Sequence, residues 1–514
     1  MPSPSDEFSL AENPLPCYIF SIPPEILSKI MLMCDRELTI WDETRRSRPA
    51  GHNIPVRLTQ ICSSWRSLAL DTRELWSSVT LVLNRRLTGK ISAITKCADY
   101  WLAKGQRGKL ALEIHIGFTV KKGIDLESIG QLLTARASDW RTLTIPNCSD
   151  SMAEYVITKM TQSIYLSLEE FKLPAFLTMS DTRFEVLAAL PRLRTVSLLT
   201  RRYASNYDNF TLPFLPWSQL ESVSISPPVS GHECLDVLKN CTELTTLELR
   251  VVSDVHDAES RRSVTLSKLS RLRLVAGATS SYGYASSNIE SFLDVLHLPI
   301  LVDLDLRFIG RNSWNPLVSS FWERHAAQLR SLELSNVCFP ADVRLLFLTV
   351  PNLTSLKLNP YQHEIALTAP DFDALRVEQL LPALTHLDVP VSRVIDSIRS
   401  ATAFLEARTT ATTGVARIAQ ARFTDLSFSY PKGELHRLHA FETQGMDVRW
   451  ILGRGDVWAS RATSISPSTH SSTRSLSSSE DYSNTPPTTS LVKPKRNPLR
   501  RLWQRINNIR LGLV

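Results

Sequence analysis

A short apolar pattern recurs along most of this chain and limits what it can fold into. It consists of an apolar residue, two variable residues, an apolar residue, one variable residue and another apolar residue. LRTVSL carries it at Leu193, Val196 and Leu198, LESVSI at Leu220, Val223 and Ile225, and LTTLEL at Leu244, Leu247 and Leu249. LSRLRL (Leu269, Leu272, Leu274), LVDLDL (Leu301, Leu304, Leu306) and LRSLEL (Leu329, Leu332, Leu334) continue it, followed by LTSLKL (Leu353, Leu356, Leu358) and LTHLDV (Leu384, Leu387, Val389). Looser copies are WRTLTI (Trp140, Leu143, Ile145), LEEFKL (Leu168, Phe171, Leu173) and FTDLSF (Phe423, Leu426, Phe428). First positions from 140 to 384 are 24 to 32 residues apart, and the last gap, to 423, is 39. Chance clustering would not hold that spacing. A repeat of this length cannot bury its own apolar face, so copies stack and share one continuous core.

The period-two rule turns the two later apolar positions of each copy inward and their neighbours outward. The outward residues include Glu248 and Arg250, Arg271 and Arg273, Asp303 and Asp305, Glu333, and Lys357. They are expected to line one concave surface and are the candidate target-binding set. Charges of both signs sit there, so the pattern alone implies no single ligand charge class. Helix-like apolar spacings fall between the copies, as at Phe184, Leu187 and Leu190, and at Phe292, Leu293 and Leu296. Strand and helix thus alternate from about 90 to 450. The array resembles leucine-rich repeats in an irregular form, because the Asn usual three residues after the last strand leucine is mostly absent. The implied fold class is an α/β solenoid with an irregular horseshoe.

The region 21–82 reads as helical. SIPPEILSKIMLMC opens it, with Pro23 and Pro24 at a helix start, where a missing N–H is harmless. Ile26, Leu27, Ile30 and Met31 follow at helical spacing. After a polar, Arg-rich stretch, Pro55 opens PVRLTQICSSWRSLAL, whose Leu58, Ile61, Cys62, Trp65, Leu68 and Ala69 form an apolar stripe on one expected helix. Asp71 three residues before Glu74 reads as a capping box for a third short helix bearing Leu75 and Trp76.

IPPEILSKI, LTQICSSWRSLAL and DTRELWSSV stand in the order of an F-box, and this block resembles the F-box-like domains of fungal proteins. The resemblance implies a three-helix unit that docks on the SKP adaptor of a cullin-RING ubiquitin ligase. Carried over by position, the adaptor-binding residues are Pro23, Pro24, Glu25, Ile26, Leu27, Ile30, Ile61, Cys62, Trp65, Leu68, Leu75 and Trp76. The repeats would then hold an unknown protein target, making the chain a substrate-recognition subunit. The alternative is a repeat scaffold without a ligase role, its front block acting as a cap. A helical unit this small cannot enclose so many large apolar groups, which supports a partner surface.

Composition narrows the remaining classes. The chain has 514 residues and a net charge of +7. Residues 491–514 carry Lys493, Lys495, Arg496, Arg500, Arg501, Arg505 and Arg510 without any acid, which accounts for all of it. The body is therefore balanced, and no nucleic-acid partner is expected. The tail reads as a basic amphipathic helix with Leu499, Leu502, Trp503, Ile506 and Ile509 on one face. Weak membrane-surface contact, nuclear import and simple docking stay open as its role. Ahead of it, 459–490 is a Ser/Thr-rich linker expected to be disordered, and residues 1–20 read as a disordered lead-in. The eight cysteines are scattered without a CxxC pair, which fits reduced thiols. The N-terminus lacks a basic and an apolar region of signal-peptide type, and cytoplasmic or nuclear residence is expected. There is no GxxxxGK[ST], GxSxG or HExxH motif, so neither an enzyme nor a cofactor or metal site is expected.

Overall fold

The computed structural model describes residues 21–34, 38–40, 53–83, 90–116, 126–174, 185–199, 212–252, 263–277, 289–312, 319–337, 343–359, 366–392, 394–410, 414–425, 437, 440–441 and 443–452. The expected lead-in, Ser/Thr-rich linker and basic tail all lie outside the described residues.

Helix α1 spans Pro24–Met33, with Pro at its first turn and Glu25 beside its N-terminus, where a negative charge complements the helix dipole. Strand β1, Leu38–Ile40, follows within the stretch read as polar connection. Helices α2 (Ile54–Leu58) and α3 (Ser63–Asp71) replace the single striped helix expected there. The break has a local cause. The Cys62 backbone is extended, and its Sγ accepts a hydrogen bond from Trp65 N at 3.4 Å, capping α3. Arg66 Nε donates to Thr59 O at 2.8 Å and pins the intervening turn. The expected third helix is a 3₁₀ turn, Arg73–Trp76, whose N-cap is Thr72 without a side-chain capping bond. The Asp71–Glu74 capping box does not form, because Asp71 is the last residue of α3.

Among the described residues, fourteen further strands continue the same sheet from β1. They are β2 (Ser78–Leu83), β3 (Leu110–Ile116), β4 (Trp140–Asn147), β5 (Glu170–Pro174), β6 (Thr195–Leu199), β7 (Ser222–Ser230) and β8 (Thr246–Val252). Then come β9 (Arg271–Gly277), β10 (Asp303–Asn312), β11 (Ser331–Val337), β12 (Ser355–Asn359), β13 (His386–Pro390), β14 (Gln420–Asp425) and β15 (Asp447–Leu452). All fifteen form one sheet in unbroken chain order. Consecutive strands of the sheet pair in parallel. Parallel neighbours require a crossover, and helices such as α4 (Ile91–Leu102), α5 (Leu126–Ala135) and α6 (Asp150–Met160) supply it. This is an α/β solenoid-like arrangement.

Register makes the repeat physical. Leu247, Leu272, Leu304, Leu332, Leu356 and Leu387 form one cross-strand row, and Leu249, Leu274, Leu306, Leu334 and Leu358 form the next. All are buried. Each such leucine contributes about 1.5–3 kcal/mol through burial. β7 shifts register between Ile225 and Pro228, where consecutive prolines have no N–H for the ladder. The eleventh sequence copy is out of frame. Ala421 and Phe423 pair with Leu387 and Val389, so Ile418 holds the first position, 34 residues after Leu384. Leu426 and Phe428 lie outside the described residues. Leu296, read as helical, lies instead in a two-residue pair, Leu296–His297 with Val264–Thr265.

The front block is not separate from the array. β1 and β2 belong to the sheet, so the sheet begins inside residues 21–82. Trp76 precedes Val79 and Leu81 by the same spacing that places Trp140 before Leu143 and Ile145. Both indoles are fully buried. Trp76 Nε1 donates to Ala69 O at 2.7 Å, and Trp140 Nε1 donates to Leu133 O at 2.9 Å, in each case seven residues upstream. α3–β2 is thus built like α5–β4. Trp76 also stacks on Trp101 of α4, with ring centroids 4.7 Å apart. Gly105 sits at this junction because a Cβ there would lie 2.7 Å from Leu110 Cδ2 and 2.9 Å from Trp76 O. Among the described residues no helix is long and apolar enough to cross a membrane.

Candidate functional site

The twelve residues expected to meet an adaptor divide by depth. Leu27, Trp65, Leu75 and Trp76 are buried in a small core with Met31, Leu58 and Ala69. Burial takes these four off the surface, and any part they play in docking is to position the helices. Cys62 and Leu68 are half-buried, and Cys62 is occupied in capping α3. Pro23, Pro24, Glu25, Ile26, Ile30 and Ile61 are exposed.

The exposed group has a simple origin. Along α1 the side chains advance by roughly 100° per residue. Leu27 and Met31 point into the small core, while Ile26, Ile30 and Met33 share the adjacent face. Met33 is 86% exposed, and Ile61, at the turn between α2 and α3, is 58% exposed. Met33 is absent from the expected set; the i, i+4, i+7 spacing of Ile26, Ile30 and Met33 was the available signal. Thr72 Oγ1 donates to Leu68 O at 2.8 Å and lies 3.4 Å from Ser28 Oγ of α1, on the side opposite the stripe. One side of α1 is therefore packed against the small core while one apolar stripe faces solvent.

The second surface is the sheet face opposite the core. Register places Ser224, Glu248, Arg273, Asp305, Glu333, Lys357, Asp388 and Arg422 in one row across β7–β14. Thr246, Arg271, Asp303 and Ser331 form the row beside it. All eight expected target-facing residues, including the half-buried Arg250 on β8, lie on strands of this face. The charges engage one another. Arg273 Nε donates to Asp305 at 2.6 Å, and Arg273 Nη1 approaches Glu248 at 3.6 Å. Arg307, absent from the expected set, donates to Asp305 at 2.9 Å and to Glu333 at 3.0 Å, and Lys357 reaches Glu333 at 2.9 Å. Arg271 Nε donates to Asp303 at 2.8 Å. Asp305 raises the pKa of Arg307 above its usual range, and burial raises that of Asp388 above the ordinary carboxylate value.

Three of the described thiols are held in their protonated form by burial. Burial pushes Cys241 up to about 12, and Cys97 and Cys234 also rise. A thiol held protonated is a poor nucleophile. Among the described residues no group of His, Cys, Asp and Glu is placed to hold a metal ion. No family model matches the chain, and no curated protein matches it significantly.

Proposed function

We propose that this chain is a substrate-recognition subunit of an SCF-type ubiquitin ligase. Its front helices would hold an SKP-type adaptor, and through it a cullin, while the repeats hold a protein target. The chain contributes no nucleophile, acid or base of its own. Its catalytic contribution is to raise the effective concentration of the target near a charged ubiquitin-conjugating enzyme. The observation that carries this reading is the apolar stripe Ile26–Ile30–Met33 left exposed on a helix whose other face is sealed. Large apolar groups side by side in water mark a protein-contact surface. Affinity capture of the tagged full chain tests it, with immunoblots for the SKP-type adaptor and the cullin. Both are expected in the eluate, and a chain that never retains the adaptor contradicts the reading.

A second reading has its own support. The front block shares the solenoid's sheet, and Val56 and Trp101 pack against both cores. It is thus built as a cap on the first repeats, as a non-catalytic scaffold would require. The same capture separates the two, since a cap alone retains no adaptor.

A further inference from the structure

We propose that the open sheet face from β8 to β15 binds an acidic, Asp- and Glu-rich segment of a partner protein. The inference rests on reading the repeats as the target-binding part and names the chemistry of that target. Acids and bases alternate along this face, which suggests a neutral surface, but they differ in depth. In each ion pair described on this face the base is the more exposed member. Arg273 is 43% exposed over Asp305 at 7%, and Arg271 is 62% exposed over Asp303 at 31%. Arg307 and Lys357 cover Glu333, Arg422 covers Asp388, and Arg449 lies over Asp447.

Side-chain length is the cause. Asp and Glu lie low on the strand surface. The longer Arg and Lys stems reach to them from a neighbouring strand or from two residues along, leaving the cationic heads outermost. The sunken carboxylates hold the heads in fixed orientation. A guanidinium carries five N–H donors in a rigid fork, so one edge can serve an internal acid and another an external carboxylate. Strands in a sheet are roughly 5 Å apart. An extended segment crossing them therefore meets a base roughly every 5–10 Å, a range that includes the roughly 7 Å between carboxylates at alternate residues.

Nucleic acid fits this face less well. Phosphate binding needs a basic excess, because affinity comes from releasing counterions along a continuous cationic track. Here the acids just below the heads cancel the long-range field, and only short-range, oriented contacts remain. Carboxylates approached one at a time suit that arrangement.

The test uses the full chain and three fluorescein-labelled probes: a twelve-residue Glu-Gly repeat peptide, the matching Lys-Gly peptide and a twenty-nucleotide single-stranded RNA. The Glu-Gly peptide is expected to bind at least tenfold more tightly than the other two, and to weaken at least fivefold between low and physiological salt. R271Q/R449Q alters two exposed bases whose partners are themselves partly exposed, and a loss of at least fivefold in affinity is expected. D303N/D447N instead removes the negative charge paired with those two bases while leaving the bases in place, and a gain of at least threefold is expected, so the outcome does not depend on the arginine variant staying folded. Preference for the Lys-Gly peptide or the RNA overturns the proposal, as does an affinity unchanged in D303N/D447N. Adaptor retention is read on the same preparations. Loss of Glu-Gly binding with the adaptor retained removes this inference alone, and the converse removes only the ligase reading.

Discussion

The front helices and the repeat sheet solve the same problem in opposite ways. In the sheet, the apolar positions of the repeat find partners one strand away, and the face turned to solvent carries charges that satisfy one another. In α1 the apolar residues exceed what three short helices can enclose, and Ile26, Ile30 and Met33 stay outside. Repetition lets a solenoid internalise its apolar face indefinitely; a small unit at its end has a neighbour on one side only. The comparison teaches that the two candidate surfaces differ in kind, since α1 presents neighbouring apolar side chains and the sheet face from β8 to β15 presents paired charges.

The largest expected effect tests whether the two regions are one folding unit. Trp76 belongs to the small core and stacks on Trp101 of the first repeats. Trp76→Ala should cost about 3–5 kcal/mol. Urea unfolding of the full chain should show the main transition moved to lower denaturant. A new early transition with the main one unmoved would mean that the front block is an independent cap.

Arg408 gives the corresponding probe far along the array. It lies buried on the helix Ile395–Thr410, with its guanidinium donating to the carbonyls of Pro382, Leu380 and Leu381 at 3.1, 2.8 and 3.0 Å. Those carbonyls belong to a segment in which Gln379 and Leu381 adopt positive φ, which L side chains rarely do. Burial lowers the Arg408 pKa to about 10. Arg408→Met strands the carbonyls and should cost roughly 3 kcal/mol. In a stack of nearest neighbours the damage should stay local, so hydrogen exchange should rise around 380–410 and not at α1. Equal loss of protection at α1 would contradict the nearest-neighbour picture.

A pH effect belongs to the middle of the stack. Burial lowers His325 to about 4, helped by the charges of Arg324 and His297, while a backbone hydrogen bond at Leu296 opposes the shift. Gln328 Nε2 donates to Leu298 O at 2.9 Å and to His325 Nδ1 at 3.1 Å, an arrangement that suits the neutral ring. The unfolded chain takes up this proton near pH 6.5 and the folded chain near 4. The stabilisation is therefore complete above 6.5 and is lost as pH falls toward 4, by roughly 2–3 kcal/mol. Stability curves of His325→Gln should be flatter than wild type in that window. Parallel curves would show that the histidine does not titrate differently on folding.

The strand positions were legible because leucines held at one spacing over so many copies can all be buried only by stacking the copies in register. β3 escaped because Leu110, Leu112, Ile114 and Ile116 alternate strictly, and a register shift near Leu110 removes the two-residue gap the pattern requires. β14 was misframed because Ala421 occupies a leucine site, and a small residue gives no signal there. The apolar stripe from Leu58 to Ala69 had helical period, but Cys62 ends one helix and caps the next, which periodicity does not record. On the open face the signs of the charges were legible but not their depth, since depth depends on which side chain reaches across to which strand.

The smallest stability effect carries the most weight. Ile26→Ser with Ile30→Ser changes exposed residues and should alter unfolding by no more than about 0.5 kcal/mol. Titration calorimetry of the purified full chain against a purified SKP-type adaptor is the direct measurement. A one-to-one complex is expected for wild type, weakened at least about tenfold, or about 1.4 kcal/mol, in the double variant. No heat of binding for wild type, or equal affinity for the two proteins, would contradict the account.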